Sequence, residues 1–247
     1  MDNTFFEKAL DNIAFFQSHP FLKPFIGQKY ADNELGVKIL FVGESHYVKE
    51  PFPKITADSL LYDWWSDTPP LIYDTNWYTT RDSIHTFMSE KSGKGYAIYR
   101  EPCKIYNNCV LNDRKQDVRS IYDSFAFMNY YQIPALYDGM SFWNSLLKFN
   151  SETNKVHPLS SKIFDKTEKL SNDIFLSVLD ILKPDKIVFL STAVYKAFKR
   201  QNKIYDINKI FATVHPTCPW WNRKKRDGST GKQKLMDFFN AVVDEGK

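Results

Sequence analysis

Four short stretches of the 247-residue chain carry the side chains best suited to chemistry. Gly43-Glu44-Ser45-His46-Tyr47 sets a carboxylate, a hydroxyl, an imidazole and a phenol in consecutive positions. Asn129 adds a carboxamide, which donates and accepts hydrogen bonds at once. Ser191-Thr192 supplies two hydroxyls, and His215-Pro216-Thr217 a second imidazole with a hydroxyl beside it. A preorganised donor stabilises negative charge as it develops in a transition state. A carboxylate does the same for positive charge. Each group also has a plainer use, since a His after a strand can serve structure alone and an Asn suits a turn. Their shared position, one step past an apolar run, is what favours a common site.

Those apolar runs read as strands. They are Lys38-Ile39-Leu40-Phe41-Val42, Ser124-Phe125-Ala126-Phe127-Met128, Lys186-Ile187-Val188-Phe189-Leu190 and Ile210-Phe211-Ala212-Thr213-Val214. None alternates apolar with polar residues, so each must be covered on both faces, as in a parallel sheet between helices. Helical spacing lies between them. Phe5, Phe6, Ala9, Leu10, Ile13 and Phe16 mark a first helix, with Thr4 and Glu7 as a capping box and Pro20 beyond its end. Met140, Trp143, Leu146 and Leu147 mark another, and Ile163 to Leu182 a longer one before Pro184. Ala193 to Arg200, capped by Ser191 or Thr192, and Leu235 to Val243 complete the set. The stretch 50–120, rich in turns, reads as an elaborated insertion with helices near 58–66 and 81–90. The expected fold is a single three-layer αβα domain over 1–247 with a short, mainly four-stranded parallel sheet. In such sheets ligands bind beyond the carboxyl ends of the strands.

Composition narrows the classes. Three cysteines, Cys103, Cys109 and Cys218, form no C-x-x-C pair and supply neither a disulfide framework nor a four-cysteine metal site. No apolar stretch approaches the ~20 residues that span a bilayer. The opening residues carry Asp2, Glu7 and Asp11, unlike a signal peptide, so a cytoplasmic location is expected. The net charge of +4 is mild, but Arg223-Lys224-Lys225-Arg226 concentrates four cations in one run, the footprint of an anionic partner or of a solvated loop.

Taken in chain order, the motifs resemble the uracil-DNA glycosylase superfamily. Members carry a first-strand motif beginning Gly-Gln or Gly-Glu, matched by Gly43-Glu44-Ser45-His46-Tyr47. They carry an Asn after a middle strand, matched by Asn129, and a late His-Pro-Ser, matched by His215-Pro216-Thr217. The likeness spans roughly 36–50 and 120–240. The chain departs from the best-known members at Ser45, where they have Asp, and at His46, where they have Pro. Branches without that Asp carry Glu after the Gly, as Glu44 does here.

The resemblance implies a monofunctional, monomeric, cofactor-free and metal-free enzyme that excises uracil or a related base from DNA. Cleaving an N-glycosidic bond leaves negative charge on the base and positive charge on the sugar. His215 would support the first and Glu44 the second; His46, which stands where the family has Pro, would either replace part of the acid–base function or cap a turn. Gly43, Ser45, Tyr47, Phe52 and Asn129 would form the base pocket, Asn129 reading a pyrimidine edge. The target base must first leave the stack, at a cost of a few kcal/mol. Thr217, Trp220 and Trp221, followed by Arg223, Lys224, Lys225 and Arg226, would meet the DNA as apolar wedges flanked by phosphate-binding cations. The alternative is a glycosylase-fold protein without excision activity that binds nucleic acid or a nucleotide. Loss of the Asp favours it. A hydrolase of free nucleosides is a third reading.

Overall fold

The computed structural model describes residues 4–33, 35–47, 64–65, 79–89, 96–112, 117–135, 140–153, 161–202 and 206–245. The elements are α1 (Thr4–Asp11), α2 (Ala14–Ser18), β1 (Phe25–Ile26), β2 (Ile39–Gly43), α3 (Thr80–Ser89), α4 (Ala97–Tyr106), β3 (Ala126–Asn129), α5 (Phe142–Thr153), α6 (Ser161–Leu182), β4 (Lys186–Phe189), α7 (Thr192–Gln201), β5 (Ile210–Ala212) and α8 (Gly231–Glu245). Short 3-10 turns lie at Pro20–Leu22, Ser120–Ser124, Ile207–Lys209 and Pro219–Trp221.

One sheet runs in the order β1-β3-β2-β4-β5. The four strands read from the sequence pair in parallel, Phe41 beside both Phe127 and Val188, and Val188 beside Phe211. The sheet is nonetheless mixed and five-stranded, because Phe25–Ile26 adds antiparallel to β3. Two residues are too few to show a period, so this strand was not legible as one.

Alternation along the strands divides the core. Leu40, Val42, Ala126, Met128, Ile187 and Phe189 pack on one face with residues of α1, α2, α5, α6 and α7. Ile39, Phe41, Phe125, Phe127, Val188 and Leu190 pack on the other with residues of α3, α4 and α8. Burial on both faces explains the unbroken apolar runs of β2, β3 and β4, whereas Ile210, Phe211 and Ala212 of the border strand β5 are only half-buried.

The first helix departs from expectation. Asn12 and Ile13 break it into α1 and α2, with amides donating to the carbonyls of Ala9 and Leu10. Asp and Asn side chains favour such turns over helix interiors. Glu7, expected in a capping box, reaches across to α3 instead of only back along its own helix. Its two carboxylate oxygens accept from both terminal nitrogens of Arg81 in α3, at 2.9 and 3.0 Å.

Within the 50–120 insertion, α3 covers the expected 81–90 helix, and α4 is an addition. Pro102 lies inside α4 with Tyr99, Cys103 and Tyr106 buried beside it. A proline read from sequence marks a break, which hid this helix. The helix expected near 58–66 lies outside the described residues except at Trp64 and Trp65. Trp64 is buried, its indole N–H donating to the Gln132 carbonyl at 2.6 Å. No helix among the described residues is long and apolar enough to cross a membrane.

Candidate functional site

Strand β2 lies between β3 and β4, so the chain moves outward to one side, then crosses to the other. The carboxyl ends of β2 and β4 therefore flank a topological switch point, where open α/β sheets form a crevice. Register carries the motifs to this edge. Gly43 pairs with Asn129, Leu190 donates its amide to Val42, and Thr213 donates to Phe189. Glu44, Asn129, Ser191 and His215 all follow the same ends of neighbouring strands.

Glu44 turns toward the α5–α7 face. Its Oε1 accepts from the amide of Phe142, the first residue of α5, at 2.8 Å. Its Oε2 accepts from the Ser191 hydroxyl at 3.0 Å. Ser191 is the N-cap of α7 and accepts from the Val194 amide at 3.4 Å. The carboxylate thus sits between the positive ends of two helices, a favourable place for an anion. A hollow of about 300 Å³ opens beside it, lined among others by Tyr131, Ser141, Trp143, Lys196 and Arg200. Behind it the Trp143 indole donates to the Tyr131 hydroxyl at 3.0 Å, and that hydroxyl donates to Glu168 at 3.3 Å. Arg200 pairs with the same Glu168 oxygen at 2.7 Å. Burial, then the Glu168 charge, pushes the Tyr131 phenol far up, so it remains a neutral donor. Sequence alone did not mark Tyr131, Trp143, Lys196 or Arg200 as site residues, because only tertiary packing of α5, α7 and the turn after β3 brings them to Glu44.

Asn129 turns the other way. It shares the parity of Phe127, and a Cβ built on Gly43 would lie 2.2 Å from its Oδ1 and 2.9 Å from the Phe127 ring. Glycine at 43 is what lets the carboxamide lie across the strand. Asn129 is buried, its backbone carbonyl accepts from the Gln132 side chain, and its carboxamide has no hydrogen-bond partner among the described residues.

His215 is half-buried in the loop after β5. Its Nδ1 faces the Thr217 amide at 3.2 Å and the Thr217 hydroxyl at 2.7 Å. The amide can only donate, so Nδ1 is the acceptor and the ring proton belongs on Nε2. Burial pushes the ring down to about 4, which keeps it neutral at pH 7. Nε2 has no hydrogen-bond partner among the described residues, so a neutral N–H donor is left open.

The remaining expectations separate. His46 is buried, with Nε2 2.9 Å from the Thr80 hydroxyl at the start of α3, and its carbonyl accepts from Ala135. These contacts tie the β2 exit to α3 and to Ala135. Ser45 is buried, and its hydroxyl has no partner among the described residues. Tyr47 forms a bridge with Ala135 and packs on the core. Phe52 lies outside the described residues. Asn129 and His215 are not among the residues lining the hollow at Glu44, so one edge carries the three groups but that hollow does not gather them.

Past Thr217, which is exposed, the tryptophan pair splits. Trp221 is buried in the core, whereas Trp220 is 48% exposed. Only one of the two expected wedges is therefore available. Arg223, Lys224 and Arg226 are exposed and Lys225 is half-buried. Among the described residues none of the four is in an ion pair.

Among the described residues no group of three or more His, Cys, Asp or Glu side chains could hold a metal ion. Comparison with family models, with curated proteins and with solved structures yields no match.

Proposed function

We propose that the chain is a uracil-DNA glycosylase-like domain that excises uracil or a related base from DNA, acting as a cytoplasmic monomer. The observation that carries this reading is the neutral His215 ring, whose Nδ1 is engaged by Thr217 and whose Nε2–H is left to donate. Such a donor suits the anion that a departing pyrimidine becomes. It stands on the same sheet edge as the unpartnered carboxamide of Asn129, a group able to read a base by donating and accepting. Glu44, two strands away, would support the cationic sugar.

A second reading has its own observation. Both Glu44 oxygens are already bonded, to Phe142 and Ser191, and His46 is tied to Thr80. A carboxylate so placed can serve architecture alone, which favours a binding protein of the same fold.

Single-turnover excision from uracil-containing single- and double-stranded DNA separates the two. Under the enzymatic reading His215→Ala lowers the chemical rate on the order of a hundredfold to a thousandfold, with substrate affinity little changed. Glu44→Gln also lowers the rate. Absence of excision of any damaged base by the wild type would replace the enzyme with the binding protein.

A further inference from the structure

We propose that the hollow beside Trp220 receives an unpaired base of single-stranded DNA, stacked on the indole, while the Arg223–Arg226 run holds the neighbouring phosphates. The proposal rests on the reading above only for its choice of DNA as the polymer.

Trp220 is fixed by its neighbour. Trp221 is buried in the core, its amide donates to the Cys218 carbonyl at 2.8 Å, and the Arg223 amide donates to Pro219 at 3.1 Å. The backbone at 220 is therefore set by the core, and the Trp220 ring is presented at the surface. With Lys225, Arg226 and Asp227 it lines a hollow of about 400 Å³. A wedge that opens a duplex must project, whereas a ring lining a hollow beside two cations is placed to receive a planar group.

The turn that brings the cations there is built for it. Lys225 donates its amide to Ser229 at 2.8 Å, Gly228 donates to Lys225 at 3.0 Å, and Gly228 has φ +77°, a conformation that favours glycine. Asp227, the acid of the hollow, is engaged by the Ser229 amide and hydroxyl at 3.0 and 2.6 Å, with Lys234 at 3.7 Å. Those bonds, Ser229 first, hold its carboxyl below the usual range. Its charge is thus matched by Ser229 and Lys234, with Lys225 also attracting it, and Arg223, Lys224 and Arg226 are left to an external anion. An aromatic face beside unpaired cations is the combination that binds single strands without sequence preference. A duplex would first have to unstack a base, at a cost of a few kcal/mol.

The test is binding, with no excision required. Anisotropy of a labelled, undamaged dT oligonucleotide and of the same strand in duplex is measured with wild type, Trp220→Ala and Trp220→Phe. The single strand is expected to bind more tightly than the duplex. Trp220→Ala should weaken it roughly 5- to 150-fold, the range of one base–aromatic stack. Trp220→Phe should retain most of the affinity. Trp220 is half-exposed, so circular dichroism should show both variants folded. Equal or tighter duplex binding, an unchanged affinity in Trp220→Ala, or equal competition by polyglutamate would each overturn the inference. Uracil excision by the same wild-type preparation reports on the glycosylase reading separately, so either can fail alone.

Discussion

His215 and Asn129 present polar groups that no other described residue engages, whereas Glu44 and His46 have theirs occupied. That contrast yields two expectations. The His215 ring lies below its unfolded value of about 6.5, down to about 4. Between those values the unfolded chain binds a proton that the folded chain refuses. This contribution to stability is therefore full above about 6.5 and is lost as pH falls toward about 4. Urea midpoints measured at pH 7 and pH 4.5 should fall more for the wild type than for His215→Gln. The buried His19 is also lowered, by burial first, but it remains in both proteins and cancels. Ring-nitrogen NMR at pH 6 should show a neutral His215 with its proton on Nε2, and a proton on Nδ1 would remove the donor from the proposed chemistry. The second expectation concerns Gly43. Alanine there would drive its methyl into the Asn129 carboxamide and the Phe127 ring. Overpacking of this kind costs about 1–3 kcal/mol. Gly43→Ala should lower the unfolding free energy by that amount, read as a lower urea midpoint at unchanged slope, and displace Asn129, weakening ligand binding beyond what the stability loss explains. Positions 43, 44, 129 and 215 were legible in the sequence because each ends or follows an apolar run. The direction each side chain takes was not, since a neighbour of opposite parity points to the opposite face.

At the scale of elements, the junction of β2, α5 and α7 is held by few bonds. Ser191 caps α7 and donates to Glu44, which in turn caps α5 through the Phe142 amide. Loss of an N-cap costs about 0.5–2 kcal/mol. Ser191→Ala should therefore lower stability by about 1–2 kcal/mol with an unchanged denaturant slope. A double-mutant cycle with Glu44→Gln should show coupling of about 0.5 kcal/mol or more, because one bond joins the two sites. Independent effects would mean that the two helix ends are not linked through Glu44. The four parallel strands and the long α6 could be read from pattern, since burial on two faces leaves an unbroken apolar run and burial on one leaves a helical period. Strand β1 could not, being two residues long, nor could α4, whose Pro102 reads as a break. The split between α1 and α2 arises at Asn12, where turn preference overrides an apolar stripe that continues through Ile13 and Phe16.

The whole molecule is nearly balanced in charge, so the Arg223–Arg226 run stands out as its concentrated field. Lys224→Ala should weaken DNA binding about equally for all sequences and reduce the salt slope by roughly one. Titration of affinity against salt for several unrelated oligonucleotides checks this, and a sequence-dependent loss would assign Lys224 to base reading instead. The shape of the sheet bears on a different matter. Its borders are β1, with two residues, and β5, with three. Just beyond β1, Gly27 passes so close to the Asp123 backbone that even a methyl would collide, and its amide donates to Phe125. An open border is a template on which a foreign strand can pair, and long, flat borders invite fibril growth. Here the longest strand among the described residues, β2, lies inside, while the described margins are strands of only two and three residues. The native state thereby keeps this apolar strand paired on both sides.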